Sequence, residues 1–423
     1  MSGRKQKKEY QLFLKNESQL PKGFSAGSVK LEFSPTELET ASLTEMDLSL
    51  LYIHGSGYSS AGVFTKNAFP GAPVILCKKQ KGNPIKGILV NNKIANVCSP
   101  TGLQDAESVV SALARYTGER SNNFFMASTG VIGWSLPTEK IVQKIPELYQ
   151  SISESGGPDF AKGIMTTDRF PKVRRAVLPG GSIVGFAKGA GMVEPDMATM
   201  LSFIITDIPI QSEHLQQALS EAAQKSFNRI SIDSDQSTSD MVLAISSGLG
   251  KACKKSEFTS ALTRVCDMLA KDIVRNGEGT SHVIEVRVSG AEDESQAAQA
   301  GKAIVNSPLV KTAIYGNDPN VGRIAAALGS FFGSHGISNQ KAVIKIGGET
   351  VFENNAFNLT PEKEKRIQKY LDAASFSETL KGYPEHQKSV AIDIILSLGN
   401  GDAIVYGSDL SHEYIHENAD YRT

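Results

Sequence analysis

The chain has 423 residues, of which 40% are hydrophobic and 21% charged, and its formal net charge at pH 7 is −1. This composition is typical of a globular protein, and the length allows several hydrophobic cores or one large interleaved domain. A net charge so close to zero gives no reason to expect a nucleic acid or an anionic membrane as partner, and it favours small-molecule chemistry.

The N-terminal segment, MSGRKQKKEYQLFLKNESQLPKG, is basic but has no apolar run long enough for a signal peptide. It contains Glu9 and Glu17 and is rich in Lys rather than Arg, so a mitochondrial transit peptide is the weaker interpretation. No stretch reaches the roughly 18 apolar residues that a membrane span requires. We therefore expect a cytoplasmic protein whose first residues form a solvated tail or an edge segment, with the mitochondrial matrix as the alternative location.

Short strand-like runs, rich in β-branched residues, alternate with amphipathic helices along the chain. The strand-like runs cover residues 48–55, 72–78, 86–92, 123–129, 181–189, 200–207, 241–248, 281–290, 341–348, 389–399 and 402–410. Helical periodicity covers residues 106–118, 212–230, 256–275 and 294–306, with Ser212 as a candidate N-cap and Gly118 beyond a helix end.

The order of these elements lacks the regular cadence of a doubly wound parallel sheet. Neither a dinucleotide-binding G-x-G-x-x-G after a strand nor a P-loop sequence is present. We therefore expect an α+β fold in which layered sheets are sandwiched by helices, in one intertwined unit.

The cysteines do not indicate a metal or a disulfide framework. Cys77, Cys98, Cys253 and Cys266 lack a C-x-x-C pair and a His cluster, so we expect free buried thiols. The stretch SFNRISIDSDQSTSD, residues 226–240, also fails the EF-hand template, because it has no Gly at the sixth loop position and no Glu at the twelfth. We expect a hydrogen-bonded turn there, and no bound metal.

One glycine-rich loop bends sharply before a strand. The stretch GAGMVEPDMATM, residues 189–200, leads through Ala198 and Thr199 into the apolar run LSFIITD. On its own, a threonine at that place is most simply a strand residue. The alternative is that the Ala198–Thr199 peptide bond breaks and leaves Thr199 as an N-terminal nucleophile, and a strained loop with a small residue before Thr199 suits such a reaction.

Six stretches, read together, are typical of one enzyme family. They are FMASTGVIG (125–133), IMTTDRFPK (164–172), AKGAGMVEPDMATM (187–200), VRNGEGTSH (274–282), NSPLVKTAIYGNDPNVGRI (306–324) and ENADYRT (417–423). Together they closely resemble the ornithine acetyltransferases, also called bifunctional glutamate N-acetyltransferases, of arginine biosynthesis. The resemblance extends from about residue 20 to the last residue.

The resemblance implies an N-terminal-nucleophile-like architecture and a chain that cuts itself before Thr199. Cleavage would leave an α chain, residues 1–198, and a β chain, residues 199–423, which assemble as a heterotetramer of two α and two β chains. The α-amine of the new terminus could act as the base for the Thr199 hydroxyl, because an α-amino group titrates at about 7.7–8.0.

The family resemblance also implies a ping-pong reaction without a cofactor. Thr199 takes the acetyl group of N2-acetyl-L-ornithine and passes it to L-glutamate, with acetyl-CoA as a further candidate donor. The hydroxyl of Thr129 and the amide of Gly130 are expected to bind the oxyanion of the tetrahedral intermediate. A glycine at position 130 suits this role because it allows a close backbone approach.

Substrate contacts are implied for Thr166, Lys188, Glu278, Asn418 and Thr423, in addition to Thr199. Lys188 would bind a carboxylate and keep the Thr199 amine unprotonated, and Glu278 would bind the ornithine ammonium. Asn418 and Thr423 would donate or accept neutral hydrogen bonds, and Thr167 is an alternative to Thr166. Without the resemblance, Lys188 and Glu278 would be interpreted as surface charges and the C-terminal tail as frayed.

The sequence also departs from the usual family pattern. Val321 stands where tryptophan is usual, Ser408 where cysteine is usual and Ser234 where glycine is commoner. These departures leave the acyl acceptor and the use of acetyl-CoA open. The alternatives are an acyltransferase of specialised metabolism with another acceptor, an amidohydrolase or aminopeptidase of the same fold, and an uncleaved protein that binds an amino acid.

Overall fold

The computed structural model describes residues 2–38, 43–55, 57–194, 200–337, 341–378, 380 and 382–420. The predicted cleavage site, Ala198 and Thr199, and the predicted substrate contact Thr423 lie outside these residues. The expected cleavage into chains 1–198 and 199–423 therefore stays a prediction.

The strands are β1 (Phe24–Phe33), β2 (Thr44–Ile53), β3 (Ser59–Phe64), β4 (Gly87–Asn91), β5 (Phe124–Ser128), β6 (Lys172–Leu178), β7 (Gly181–Lys188), β8 (Leu201–Thr206), β9 (Ile230–Ser231), β10 (Met241–Ser246), β11 (Val283–Ala291), β12 (Val343–Ile346), β13 (Glu349–Glu353), β14 (Ala356–Phe357), β15 (Val390–Ile395) and β16 (Gly401–Ser408).

The α-helices are α1 (Ser2–Glu17), α2 (Ala72–Gln80), α3 (Gly102–Thr117), α4 (Thr138–Ser151), α5 (Gly157–Gly163), α6 (Ser212–Lys225), α7 (Lys255–Arg275), α8 (Glu294–Val305), α9 (Pro308–Tyr315), α10 (Val321–Ser334), α11 (Pro361–Ala374) and α12 (His412–Ala419).

Two compact units make up the chain, and each contains segments that are separate in sequence. Unit 1 comprises Met1–Gly189, Pro195–Asn228 and Gln236–Ile273, and unit 2 comprises Ala190–Glu194, Arg229–Asp235 and Val274–Thr423. The chain thus passes between the units several times. This division describes packing, and it does not follow the α and β chains that cleavage would produce.

Unit 1 has two sheets packed face to face between layers of helices. The sheet orders are β1-β2-β4-β5 and β3-β10-β8-β7-β6. Side chains of both sheets share one core, with Phe125 on one side and Phe186 and Phe203 on the other. Helices α3 and α4 cover the outer face of the four-stranded sheet, and α6 and α7 pack on the five-stranded sheet. The expected α+β class with sheets between helices is confirmed.

In the five-stranded sheet, the neighbouring strands β10, β8 and β7 have one terminus each at the same end of the sheet. Lys188, the last residue of β7, lies opposite Leu201, the first residue of β8, in an antiparallel pair. Leu201 also lies beside Met241, the first residue of β10, in a parallel pair. The end of β7 and the starts of β8 and β10 are therefore adjacent, which gathers the residues flanking each strand at this edge.

Unit 2 is built on a seven-stranded mixed sheet in the order β14-β13-β12-β15-β11-β16-β9. Alternate residues of β15 are buried, as expected for a strand with one covered face. Apolar residues of α8, α9, α10 and α11 join this face in a single core. The C-terminal α12 follows β16 and contains no buried residue.

Three details differ from the sequence predictions. Residues 72–78, predicted as a strand, belong to α2, which has Pro73 as its second residue and Lys78 and Lys79 in its last turn, a pattern that favours a helix despite its apolar content. The N-terminal segment forms α1 with Leu14 buried, rather than a solvated tail. The N-cap of α6 is Gln211 and not Ser212.

Other predictions of local structure are confirmed. Gly118 ends α3 with φ of 71°, the left-handed conformation expected of a glycine after a helix. Helix α7 matches the predicted residues 256–275. The expectation of free buried thiols is confirmed for Cys77 and Cys266, but it is wrong for Cys98, which is exposed, and for Cys253, which is half-buried. Within the described ranges, no helix has the length and apolar content to cross a membrane.

Candidate active site

The turn after β5 in unit 1 holds the predicted oxyanion-binding pair. Thr129 is buried, and its amide donates to the Asn91 carbonyl at 3.1 Å. Gly130 has φ of 129°, and an added Cβ would lie 2.1 Å from the backbone carbon of Lys93. Only glycine therefore fits at position 130. The Gly130 amide has no hydrogen-bond acceptor among the described residues, so it is free to bind an anion.

Lys188 at the end of β7 fixes the direction of the Thr129 hydroxyl. Its Nζ donates to Thr129 Oγ1 at 2.9 Å, and both side chains are buried. Because an ammonium is only a donor, Thr129 Oγ1 accepts in this pair and its own proton points elsewhere. Thr129 and Gly130 can then both donate to one oxygen of a tetrahedral intermediate.

A buried carboxylate, Asp168, organises the backbone around Lys188. Asp168 Oδ1 accepts from the Gly189 amide at 2.8 Å, and Asp168 also forms a buried ion pair with Lys172. Burial alone would raise the pKa of Asp168, but the charges of Lys172 and Lys188 and the Gly189 hydrogen bond lower that pKa to about 2. Asp168 thus stays ionised and holds the residue that follows Lys188 in place.

Asp168 also binds the backbone of Thr166, one of the two candidate substrate-binding threonines. The Thr166 amide donates to Asp168 Oδ2 at 2.9 Å, and the Thr166 side chain is half-buried. The Thr167 side chain is exposed. Thr166 is therefore the more firmly positioned of the two candidates for the predicted substrate contact, and the choice between them stays a prediction.

Asp240 is a second buried carboxyl group of unit 1, just before β10. It is 3% exposed, and its Oδ2 has no hydrogen-bond partner among the described residues. Burial raises the pKa of Asp240 well above its usual value, although hydrogen bonds with Ser237 and the charge of Lys188 oppose this rise. The amide of the next residue, Met241, donates to the carbonyl of Met200 at 3.1 Å. Asp240 thus flanks the strand start that follows Thr199 in the sequence.

Glu278 and Asn418 form the predicted substrate-binding pair of unit 2. Asn418 Nδ2 donates to Glu278 Oε2 at 2.8 Å, and the Glu278 amide donates to the Ala190 carbonyl at 2.8 Å. A Cβ at Gly191 would lie 2.2 Å from Glu278 Oε2, so the glycine makes room for the carboxylate. The C-terminal helix is therefore docked through Asn418, and Glu278 supplies a buried carboxylate at this contact.

The loop that carries Glu278 is fixed by a buried polar network within unit 2. His282 Nδ1 lies 2.9 Å from Asp409 Oδ2, and His282 Nε2 lies 3.0 Å from Asn317 Oδ1. The Ser281 amide also donates to Asp409 Oδ1 at 3.0 Å. Gly279 has φ of 62° and packs against Ser411, the N-cap of α12. This network joins the Glu278 loop to the start of α12.

The structure describes Thr129, Gly130, Thr166 and Lys188 in unit 1 and Glu278 and Asn418 in unit 2. Within unit 1, Lys188 is hydrogen-bonded to Thr129, and within unit 2, Asn418 is hydrogen-bonded to Glu278. Sequence reasoning missed the buried carboxylates Asp168 and Asp240. An Asp and a Lys four residues apart in TTDRFPK would have suggested the Asp168–Lys172 pair, but the burial of Asp240 depends on tertiary packing.

A metal is not indicated by the residues present. Among the described part of the chain, no group of three or more His, Cys, Asp or Glu side chains is arranged to hold a metal ion. Lys172 and Lys188 of unit 1 are instead paired with Asp168 and Thr129, and the second of these pairs suits oxyanion binding.

Comparison with known proteins finds one family model and several relatives that match most of the chain. The model of the ArgJ family matches residues 36–423. The arginine biosynthesis bifunctional protein ArgJ of Dehalococcoides mccartyi is 38% identical over 416 residues, which cover 95% of this chain and 96% of that protein. The glutamate N-acetyltransferase Oat2 of Streptomyces clavuligerus is 37% identical over 365 residues, covering 86% of this chain and 90% of that protein.

One similar solved structure is the ornithine acetyltransferase of Mycobacterium tuberculosis complexed with ornithine, which is 32% identical in sequence. Its alignment with this chain has a TM-score of 0.37 and covers 43% of this chain and 96% of the chain in that structure. The family predicted from the sequence motifs is confirmed by the family match and by relatives of nearly the same extent. The chain belongs to the ArgJ family.

Proposed function

We propose that this protein is a glutamate N-acetyltransferase that moves an acetyl group from N2-acetyl-L-ornithine to L-glutamate in arginine biosynthesis. One observation carries the proposal. The Thr129 hydroxyl accepts from Lys188, and the neighbouring Gly130 amide has no acceptor among the described residues. Two donors of this kind suit the oxyanion of acyl transfer, and the names of the relatives supply the acyl group and its acceptor.

The first step of the proposal is self-cleavage. The Thr199 hydroxyl attacks the Ala198 carbonyl, its proton passes to the Thr199 nitrogen as the Ala198–Thr199 C–N bond breaks, and an ester forms between Ala198 and the Thr199 oxygen. Water then hydrolyses this ester, which leaves a carboxylate on Ala198 and a free amine and hydroxyl on Thr199. After cleavage, the uncharged α-amine of Thr199 can accept the proton of the Thr199 hydroxyl, since its pKa is about 7.7–8.0 when unperturbed.

The acetyl transfer proposed for the mature enzyme has two half-reactions. Thr199 Oγ attacks the acetyl carbonyl of N2-acetyl-L-ornithine, its proton passes to the α-amine, and the ornithine nitrogen takes that proton as the C–N bond breaks. The amine of L-glutamate then attacks the acetyl-threonine ester, and N-acetyl-L-glutamate leaves. Thr129 and Gly130 stabilise both tetrahedral oxyanions, and each such donor is typically worth about 2.7–4 kcal/mol.

The substrate contacts of the proposal follow from side-chain chemistry. We assign the ornithine ammonium to Glu278, whose buried carboxylate already binds the Asn418 amide. Lys188, Thr166, Asn418 and Thr423 are proposed to contact the amino-acid substrates, and acetyl-CoA is a candidate second acetyl donor. The proposal includes no cofactor.

An acyl-enzyme experiment tests this function. The purified protein is mixed with N2-acetyl-L-ornithine, quenched in acid and analysed by denaturing mass spectrometry. We expect the 199–423 fragment to gain one acetyl group, and L-glutamate to remove it with formation of N-acetylglutamate. Release of ornithine at the same rate with and without glutamate, with acetate as product, would instead support a hydrolase.

We also propose two α and two β chains per assembly and a cytoplasmic location. Size-exclusion chromatography with light scattering tests the assembly, because a mass equal to one αβ pair would contradict it. Cell fractionation tests the location.

A further inference from the structure

The segment just before the predicted cleavage site is held by a carboxylate that the proposed mechanism does not use. Asp233 follows β9 and is half-buried. Its Oδ2 accepts from the Met192 amide at 2.6 Å, and its Oδ1 accepts from the Val193 amide at 2.7 Å. One carboxylate therefore binds two successive backbone N–H groups, an arrangement in which a charge-assisted hydrogen bond is strong.

The backbone conformation at this contact depends on its surroundings. Met192 has φ of 54°, a left-handed conformation that a non-glycine residue rarely adopts. The Met192 side chain is 43% exposed, so apolar packing does not account for this conformation. The Asp233 carboxylate does, because the left-handed residue turns both N–H groups toward the same anion.

Residues 190–194, which include Met192 and Val193, are also held through two backbone carbonyl groups and one side chain. The Glu278 amide donates to the Ala190 carbonyl at 2.8 Å, and the Ile232 amide donates to the Val193 carbonyl at 2.7 Å. The Glu194 carboxylate forms an ion pair with Lys302 at 2.9 Å. Residues 190–194 are thus fixed on both backbone edges up to the last residue before the undescribed residues 195–199.

A second contact links Asp233 to the C-terminal helix of the same unit. The Tyr414 hydroxyl donates to Asp233 Oδ2 at 3.2 Å. Burial raises the pKa of Asp233, while the backbone hydrogen bonds from Val193 and Met192 oppose that rise. Asp235, two residues further along the same loop, is exposed and offers a matched control.

We propose that Asp233 is a positioning residue for self-cleavage, which holds residues 190–194 so that the Ala198 carbonyl can meet the Thr199 hydroxyl. This inference rests on the proposed cleavage at Ala198–Thr199. An intramolecular attack gains its rate from restricted geometry, and a displacement of about 1 Å can cost about 100-fold. Releasing two amides at the upstream end of the loop removes such a restriction.

The test follows cleavage of freshly made full-length chains. Wild type and variants are synthesised in a cell-free system, chased, and resolved into full-length chain and fragments by denaturing gels and mass spectrometry. We expect Asp233→Ala to cleave at least about tenfold more slowly, because both amides lose their acceptor. Asp233→Asn should be slowed less, since one amide oxygen remains, and Asp235→Asn should cleave within about twofold of wild type.

A protein produced as two separate polypeptides distinguishes a role of Asp233 in cleavage from a role in the mature enzyme. Residues 1–198 and 199–423 are produced together as two polypeptides, with the initiator Met removed before Thr199, so that no cleavage is needed. We expect the divided Asp233→Ala complex to transfer acetyl at the rate of the divided wild type. Full-length Asp233→Ala should be poorly active in proportion to its uncleaved fraction.

Two results would overturn the inference while leaving the proposed function intact. One is an Asp233→Ala chain that cleaves as fast as wild type. The other is a divided Asp233→Ala complex that stays inactive, because Asp233 would then serve the mature enzyme. A wild-type chain that transfers acetyl but never divides would instead reject the proposed cleavage, and with it the role of Asp233.

Discussion

At the scale of single residues, the hydrogen bond between Lys188 and Thr129 determines what the Thr129 hydroxyl can do. The Lys188 ammonium can only donate a hydrogen bond, so the Thr129 hydroxyl accepts from it and keeps its own proton for another partner. The family resemblance suggested that both residues belong to the site, but it implied that Lys188 binds a carboxylate of the substrate rather than Thr129. The distance between the two side chains depends on how β5 and β7 pack, which no local pattern in the sequence encodes.

Replacing Thr129 tests the oxyanion role. Thr129→Val keeps the shape of the side chain but removes the hydroxyl, and we expect kcat to fall by about 100- to 1,000-fold with little change in KM. Thr129→Ser keeps the hydroxyl and should retain most of the activity. Steady-state assays of acetyl transfer distinguish the two, and a Thr129→Val enzyme as active as Thr129→Ser would count against the role.

The two adjacent threonines can be separated by the same assay. Thr166 is half-buried and its amide is held by Asp168, whereas Thr167 is exposed. We expect Thr166→Ala to raise KM for N2-acetylornithine by about tenfold, the value of one hydrogen bond to a charged group. Thr167→Ala should leave KM near the wild-type value. The reverse order would move the substrate contact to Thr167.

Asp240 gives a prediction about pH. Its folded-state pKa is raised by burial, so folding favours the protonated form, and stability is lost as pH rises from the unfolded pKa through the folded one. Asp240→Asn is neutral at all pH values and should remove this loss. Above the folded pKa, we expect the variant to be more stable by about 1–3 kcal/mol, the usual cost of burying a polar group whose hydrogen bonds are incomplete.

Thermal unfolding between pH 4 and pH 8 measures this difference, with Asp235→Asn as the exposed control. The stabilisation by Asp240→Asn should be smallest at the acid end, where Asp240 is protonated in the folded state and partly protonated in the unfolded state. A variant that loses stability equally at every pH would show that the carboxyl group acts through packing and not through its charge.

At the scale of elements, sequence patterns succeeded where amphipathic periodicity was long. The predicted residues 256–275 match α7, and the break at residues 306–308 falls between α8 and α9. The failure at α2 has a physical cause. Six of its nine residues are buried and its apolar run is short, so length and periodicity could not distinguish a buried helix from a buried strand.

Helix α12 shows how a short C-terminal element can serve a site without stabilising a core. It buries no side chain, but it carries Asn418, which binds Glu278, and Tyr414, which binds Asp233. The family resemblance pointed to Asn418, and the sequence alone would have suggested a frayed tail. The polar contacts of this helix, which hold it in place, join residues more than a hundred positions apart and have no local signature.

Deleting residues 412–423 tests that role. We expect KM for N2-acetylornithine to rise by at least about tenfold, since Glu278 loses its Asn418 partner. The melting temperature should change by only a few degrees, because α12 contains no buried residue. Asn418→Ala should shift KM in the same direction by less, and an unchanged KM in both variants would remove α12 from the substrate site.

At the scale of the whole molecule, packing and proposed processing divide the chain differently. The α+β class and the helix-covered sheets were predictable from the alternation of short strands and amphipathic helices. The two compact units were not, because segments such as Ala190–Glu194 and Arg229–Asp235 leave one unit and join the other. Such assignments depend on contacts between distant residues, which composition and periodicity do not contain.

The position of the proposed nucleophile depends on this path of the chain. Ala190–Glu194 ends immediately before the undescribed residues, and β8 begins two residues after Thr199. Cleavage at Ala198–Thr199 would convert an internal loop into a new C-terminus and a new N-terminal amine. The account of acetyl transfer requires that amine, because a threonine hydroxyl without a base is a weak nucleophile.

The most direct test is the intact mass of the purified wild-type protein under denaturing conditions, together with N-terminal sequencing of its smaller fragment. The account predicts two polypeptides, one ending at Ala198 and the other beginning with Thr199, and a single undivided chain for Thr199→Ala. A preparation that transfers acetyl from N2-acetylornithine to glutamate while showing only the full-length mass would contradict the central claim.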